Sequence, residues 1–350
     1  MIKITKKTEK IPVYDIEVKD NHNFFANGLC VHNCEISLPS HSLDNFNNIP
    51  GEIGACILGN MNLGYSKESD IPKIADFLVR FLDNLIDESE FVLPEIEYAA
   101  RKRRSLGIGI SNLFGYLAKS KQFYNLKDTR EDIHNIMELF YYNLLKTSNE
   151  LAKERGKCEL FDESIYSDGK FIFERYIESG IDYEFENKQD WESLRKDIKE
   201  YGLRHSSFCA IPPAGNSSKP SSATPGIEPP RELATIKKDK NVIVKQLVPF
   251  FKTSKKYYTT AWGVDFNNFD YLELVKNIQK FVDQSISLNM YYNTLNSKSD
   301  KIEISQLLDE IVTAFNNGIK AFYYANFRTS NQADGEAEKT DGCAGGGCSV

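Results

Sequence analysis

Hydrophobic positions in the body of the chain alternate between helical spacing and short apolar runs. Asp70-Ile71-Pro72 predicts a helix start, with Asp70 as cap and proline in the first turn. Ile74, Phe77, Leu78, Phe81, Leu82 and Leu85 then recur at helical spacing. Residues 105–111, SLGIGIS, read as a buried strand, and Asp128 with Glu131 predicts a capping box for a long helix that stops near Gly156. Residues 207–211 are strand-like and run into a Pro/Gly/Ser-rich loop over 212–226. A helix over 270–283, a short strand over 285–289, a helix over 304–317 closed by Gly318, and a last apolar strand over 319–324 follow. From about Thr329 the chain is polar and glycine-rich, with nothing to bury, which predicts a mobile tail. Alternating helices and strands argue for an α/β fold, either a barrel or a doubly wound sheet. There is no internal repeat.

Bulk properties narrow the function classes. At 350 residues and 41% hydrophobic content the chain can bury a sizeable core. A net charge of −7 argues against a dominant nucleic-acid or anionic-membrane surface, so neither is expected as a partner. No apolar run approaches the roughly 20 residues that span a bilayer. Seven cysteines without a secretory signal point to a reducing, cytoplasmic compartment and reactive thiols. The first 34 residues lack the apolar core and the small-residue cleavage site of a signal peptide.

Three features of the body carry chemistry. Cys343 and Cys348 sit on the Gly-rich tail, where two thiols on a flexible arm can enter a site, reduce a disulfide and be re-reduced outside. No histidine stands near them, so they supply too few ligands for a structural zinc, and no metal site is expected. Tyr323-Tyr324 ends the last predicted strand; side chains of adjacent strand residues normally point to opposite faces, which reads as one core ring and one surface ring. Pro212-Pro213-Ala214-Gly215-Asn216-Ser217-Ser218 follows a strand and can offer N–H groups and hydroxyls to a phosphate. Cys158 and Cys209 match no role and read as buried thiols, as does Cys30 near the start.

The opening residues have a character of their own. Val13-Tyr14-Asp15-Ile16-Glu17-Val18, then Asn21-His22-Asn23-Phe24-Phe25-Ala26-Asn27-Gly28, then His32-Asn33-Cys34, closely resemble the C-terminal splicing blocks of an intein. The residue types suit that chemistry. The Asn33 side-chain amide can attack its own carbonyl and cleave the backbone, and His32 can protonate the leaving amine. Cys34 can accept an acyl group as a thioester that rearranges to an amide. His22 and Asp15 match the assisting positions. The resemblance implies a small all-β split-intein segment over 1–33, a mature part beginning at Cys34, and trans-splicing to a partner that carries the N-terminal split intein.

Residues 35–350 resemble the C-terminal half of the large subunit of class I ribonucleotide reductase. The resemblance is carried by Glu35-Ile36-Ser37-Leu38-Pro39, Gly51-Glu52-Ile53 with Cys56, Asn62-Leu63-Gly64, Arg103-Arg104-Ser105-Leu106-Gly107-Ile108-Gly109, Ser148-Asn149-Glu150-Leu151-Ala152-Lys153-Glu154, Gly226-Ile227-Glu228-Pro229-Pro230-Arg231, Asp283-Gln284-Ser285-Ile286-Ser287, Tyr323-Tyr324 and the terminal cysteine pair. It implies the second half of a ten-stranded α/β barrel over 34–328 and a redox tail over 329–350. It further implies that Glu35 takes the proton of the ribose 3′-hydroxyl and Cys56 is one of two thiols that reduce the substrate. Tyr323 and Tyr324 pass a radical inward, Cys343 and Cys348 reset the active-site disulfide, and Ala214, Gly215, Asn216, Ser217 and Ser218 bind the substrate phosphate. That loop departs from a more hydroxyl-rich family version. The family motif Asn-x-Cys-x-Glu places the thiyl cysteine two residues before Glu35, at the position of Asn33, so the thiyl cysteine is expected to end the N-terminal half.

The implied function is reduction of ribonucleoside diphosphates by thiyl-radical chemistry, in a homodimer of the spliced subunit. The radical would come from a metal-containing small subunit, thioredoxin or glutaredoxin would be the reductant, and allosteric nucleotides would bind the N-terminal half. No cofactor is expected on this chain itself. A lone half-barrel should expose strand edges and need its partner. Two other readings differ in class. A decayed fragment would only associate with the N-terminal half; the intact set of chemical residues argues against it. An autonomous thiol oxidoreductase using only Cys343 and Cys348 would act without a partner, but no neighbouring residue lowers either thiol pKa.

Overall fold

The structure, a computed structural model, describes residues 23–26, 29–32, 51–91, 93–181, 183–212, 214–215, 217–239, 242–296 and 301–329. Its strands are β1 (Asn23–Ala26), β2 (Leu29–His32), β3 (Ile57–Asn62), β4 (Leu106–Ser111), β5 (Ala234–Asp239), β6 (Val242–Leu247), β7 (Ser287–Asn293) and β8 (Ala321–Arg328). Its α-helices are α1 (Ile71–Glu88), α2 (Pro94–Arg103), α3 (Leu113–Ser120), α4 (Lys127–Arg155), α5 (Ile172–Glu178), α6 (Trp191–Tyr201), α7 (Phe251–Ser254), α8 (Asn268–Gln279) and α9 (Ile304–Asn316).

The backbone of β1 and β2 forms an antiparallel hairpin that pairs Asn23 with His32. A second hairpin joins β5 and β6. The remaining strands are parallel. β3 pairs with β4 over its whole length, and β7 pairs with β8. Residues 207–211, expected as a strand, make only a parallel bridge from Cys209 to Ile108, with Leu106 N–H and Ile108 N–H donating to Ser207 O and Phe208 O. Gln284 N–H donates to Cys209 O at 3.1 Å, so this short segment joins the β3–β4 pair to the stretch that enters β7. Parallel strands need long crossovers, and helices supply them here. This is the expected mixed α/β arrangement; among the described residues the strands do not close into a barrel.

Helices cover one sheet face, and most of the large core lies there. β4 is buried along its whole length, as its apolar run predicts. Long helix α4 sends Ile133, Met137, Phe140, Tyr141, Leu144, Leu145 and Leu151 into this core. Three local expectations are corrected. Asp70 precedes α1, with Pro72 in the first turn, but its carboxylate accepts Lys67 N–H and closes the preceding 3₁₀ turn instead of capping α1. Asp128 and Glu131 form no capping box, since α4 starts after Leu126 with no side-chain cap; its stop at Gly156, φ +88°, is as expected. The buried stripe of α1 is Ile71, Ala75, Val79, Leu82 and Ile86, with Asp83 beside it, whereas Phe77 and Phe81 stack on each other in solvent. Helical spacing alone does not tell which of two apolar stripes turns inward.

A charged cluster lies inside this core. Asp83 is fully buried, and its carboxylate meets Arg104, Arg155 and Arg204 at 2.6–3.2 Å. Burial works to raise its pKa, but the bond and charge of His205 and the charges of Arg104 and Arg204 outweigh it, holding the carboxyl well below the usual range. Arg104 reaches this cluster because it sits in the left-handed region, φ 50°, just after α2. Ser148, His205 and Asp83 also fall in line, with Ser148 Oγ 2.9 Å from His205 Nδ1 and His205 Nε2 3.2 Å from Asp83. The order resembles a nucleophile triad, but all three side chains are sealed from solvent. Ser148 Oγ is also tied to the His205 N–H, so the group is a clamp between α1, α4 and the segment leading into residues 207–211.

Candidate functional site

Alternation along β3 and β4 separates two faces. A methyl group at Gly59 would meet Leu82 of α1, which marks the helix-covered face. A methyl group at Gly107 would lie 3.3 Å from Cys56 Sγ, 2.6 Å from Leu58 and 3.4 Å from Ala210. Cys56, Leu58, Gly107 and Ala210 therefore share the opposite face. Gly109 follows two residues later, where a methyl group would come within 2.0 Å of Ala210 O. The glycines let β4 and the following segment approach closely and leave this face shallow. The Cys56 thiol is half-buried at the opening of β3, whereas Cys158 and Cys209 are buried, as expected for thiols without a role. Burial pushes the Cys158 thiol up to about 12 and Cys209 upward as well, so neither is a ready nucleophile.

The candidate phosphate loop lies at the C-terminal ends of β3 and β4. Ala214 and Ser218 are buried, Gly215 is half-buried and Ser217 exposed; Asn216 lies outside the described residues. Ser218 N–H donates to Ala214 O at 2.8 Å, closing a turn, and Ala223 N–H donates to Ser218 O at 2.9 Å. Two asparagines to which the sequence assigned no role hold this loop. Asn62, at the end of β3, donates from Nδ2 to Ser221 O at 2.9 Å. Asn112, left-handed at φ 65° after β4, accepts from Thr224 N–H and donates to Asn62 Oδ1. For Asn112, its place immediately after a predicted strand was the available signal. Loops at the carboxyl ends of parallel strands are where α/β proteins hold ligands.

The tyrosines overturn the one-in, one-out expectation. Leu288 pairs with Phe322 and Met290 with Ala325, so Asn289 alone opposes both Tyr323 and Tyr324. This is a β-bulge, which places an extra residue on one strand and re-aims side chains. The two rings come to 4.0 Å between centroids, tilted by 52°. Tyr324 is 42% exposed, so the pair leads from solvent toward the protein. Its backbone N–H, displaced from the ladder, donates to Asn289 Oδ1 at 3.0 Å. Asn289 Nδ2 in turn donates to Glu228 Oε1, and Tyr291 O–H donates to Glu228 Oε2 at 2.7 Å. Desolvation of the Glu228 carboxyl pushes its pKa up, while the bonds from Tyr291 and Asn289 and the charge of Arg231 pull it back.

The structure thus brings Tyr323 to Tyr324, and Ala214 to Ser218, and places Cys56 on the glycine-lined face. Asp15, His22, Asn33, Cys34, Glu35, Cys343 and Cys348 lie outside the described residues, and His32 is described only as backbone in β2. Among the described residues no group of three His, Cys, Asp or Glu side chains is placed to hold a metal ion, and no helix is long and apolar enough to cross a membrane.

A family model described as "Ribonucleotide reductase, barrel domain" matches residues 20–325. The ribonucleoside-diphosphate reductase subunit alpha of Buchnera aphidicola is 37% identical over 360 residues, covering 98% of this chain and 46% of that protein. That of Haemophilus influenzae is 39% identical over 353 residues, with the same coverage. That of Enterobacteria phage T4 is 34% identical over 320 residues, covering 89% of this chain and 42% of the phage protein. The chain spans about half the length of the curated relatives it matches.

Proposed function

The chain belongs to the ribonucleotide reductase barrel-domain family, and from that premise we propose that it supplies the catalytic C-terminal part of a ribonucleoside-diphosphate reductase alpha subunit. The Tyr323–Tyr324 ring contact supports this most directly. Two phenol rings in contact, one reaching solvent, suit stepwise passage of a radical from a separate metal-containing small subunit to a cysteine in the N-terminal half. That cysteine, as a thiyl radical, would take the 3′-hydrogen of the ribose. Glu35 would accept the 3′-hydroxyl proton, and the 2′-hydroxyl would leave as water. Cys56 and a second thiol of the N-terminal half would deliver two electrons and become a disulfide, and the 3′-hydrogen would return from the cysteine. Cys343 and Cys348 would reduce that disulfide and be reset by thioredoxin or glutaredoxin. The turn at residues 214–218, held by Asn62 and Asn112, would take the diphosphate.

Within the same proposal, residues 1–33 are the C-terminal part of a split intein. Asp15, His22, His32, Asn33 and Cys34 stand in the order splicing needs, and β1–β2 pairs Asn23 with His32. The joined protein would complete the ten-stranded barrel and act as a homodimer, with allosteric nucleotides on the N-terminal half. Intact mass after mixing with the N-terminal half tests the splicing. Release of residues 1–33, with a product whose C-terminal part begins at Cys34, is expected; unchanged masses refute it. Turnover of a ribonucleoside diphosphate by the joined or associated halves, with a radical-bearing subunit and a dithiol, tests the reductase, and its absence refutes that part.

A further inference from the structure

We propose that Asn289 and Glu228 are positioning residues for the tyrosine pair: together they fix the bulge that makes the two rings neighbours. In a regular strand Tyr323 and Tyr324 would project to opposite faces. Their contact exists only because β8 carries one residue more than β7 between the pairs Leu288–Phe322 and Met290–Ala325. A bulge leaves an amide outside the ladder, and an amide without a partner is costly. Asn289 meets that need from the opposing strand, with Oδ1 3.0 Å from Tyr324 N.

The orientation of Asn289 is over-determined. Its backbone-facing atom must be the oxygen, because Tyr324 N–H is a donor; its other atom must be the NH₂, because the Glu228 carboxylate only accepts. Glu228 is itself held. Tyr291 O–H occupies its second oxygen. Gly226, at φ +58°, turns the segment, Ile227 is buried, and two prolines follow. Arg231, at the end of that segment, donates to Asn326 Oδ1 at 3.0 Å, and Asn326 Nδ2 reaches Met290 O across the β7–β8 pair. Both ends of the segment are therefore tied to the strands that flank the bulge. Radical passage between two phenols depends on ring separation and orientation, so a device that sets both governs the rate without touching substrate. This functional consequence rests on the reductase reading; the geometric claim does not.

Amide hydrogen exchange at Tyr324, read in the full-length chain, tests the geometry, and turnover in the joined protein with its radical source tests the consequence. Asn289→Ala removes both bonds. Tyr324 exchange should rise about 10-fold or more, with the amides of β4 unchanged, and turnover should fall while the substrate KM stays put. Asn289→Asp keeps an acceptor for Tyr324 but sets two carboxyls face to face. Tyr291 from β7, Tyr271 from α8 and Arg231 are the other ionisable groups around Glu228. One shared proton should restore the arrangement, so this variant should approach wild type at low pH and lose exchange protection and turnover as pH rises, unlike wild type. Unchanged Tyr324 exchange in Asn289→Ala overturns the proposal. Should that variant not fold, Glu228→Leu, which keeps bulk and removes both acceptors, must still accelerate Tyr324 exchange; no acceleration overturns the proposal as well. Faster Tyr324 exchange in Asn289→Ala, together with a joined wild-type protein that never turns over, refutes the reductase reading and leaves the positioning claim standing.

Discussion

His205 makes stability depend on pH in a direction and size that can be worked out. Its ring is fully buried between Ser148 and Asp83. Burial pushes its pKa from 6.5 down to about 4, against the opposing bond and charge of Asp83, so at neutral pH the ring is uncharged and the arginines balance Asp83. The folded value lies below the unfolded one, so the unfolded chain binds the proton more readily. The stabilisation is complete above about pH 6.5, declines as pH falls through the window between 6.5 and 4, and levels off below. Between pH 7.5 and pH 5 this one group should cost the folded state about 2 kcal/mol, at about 1.4 kcal/mol per pH unit across most of that interval. His134, pushed down to about 3 by burial and by the charge of Lys280, adds a loss of the same sign. His205→Asn keeps an atom for Ser148 and removes the titration. Its urea midpoint, followed by the fluorescence of Trp191 and Trp262, should fall less between pH 7.5 and 5, with the difference worth about 2 kcal/mol. The same pH slope in variant and wild type, or an NMR titration placing the His205 ring near 6.5, would refute the reasoning.

Further outcomes follow from single contacts. Asp83→Asn leaves buried Arg104 with Asp87 alone and takes the carboxylate from Arg155 and Arg204, and should cost about 3 kcal/mol in urea unfolding. Gly109→Ala drives a methyl group to within 2.0 Å of Ala210 O and should cost about 3 kcal/mol, with Cys56 reactivity toward a thiol reagent altered, since the same face shifts. Tyr324→Phe removes only a half-exposed hydroxyl; stability should stay within about 0.5 kcal/mol of wild type while reductase turnover of the joined protein falls to background.

Period and composition made the helices and the fully buried strand readable. Leu106, Ile108 and Ile110 alternate with glycines, and α4 and α9 end on Gly156 and near Gly318 as their sequences announce. What stayed hidden is settled by tertiary contacts. The choice between Ala75–Val79 and Phe77–Phe81 as the inward stripe of α1 depends on where β3 lies. Asp128 and Asp70 have the right identity for caps, but neighbouring turns claim or replace them. The bulge at Tyr323–Tyr324 leaves no local mark, because the residue that stabilises it is Asn289, on another strand. The loop at 214–218 was visible as a loop, but its anchors Asn62 and Asn112 are far away in sequence.

The buried cluster around Asp83 also bears on where a chain of this kind can be cut. Its members come from α1, the turn after α2, the far end of α4 and the segment leading into residues 207–211, at residues 83, 104, 148, 155, 204 and 205. A gene interrupted between the codons for Asp83 and Arg104 would yield two products, each carrying unmatched charges meant for an interior. Neither product could bury them until the other arrived. A breakpoint in that span is thereby disfavoured, and the proposed junction between Asn33 and Cys34 lies outside it.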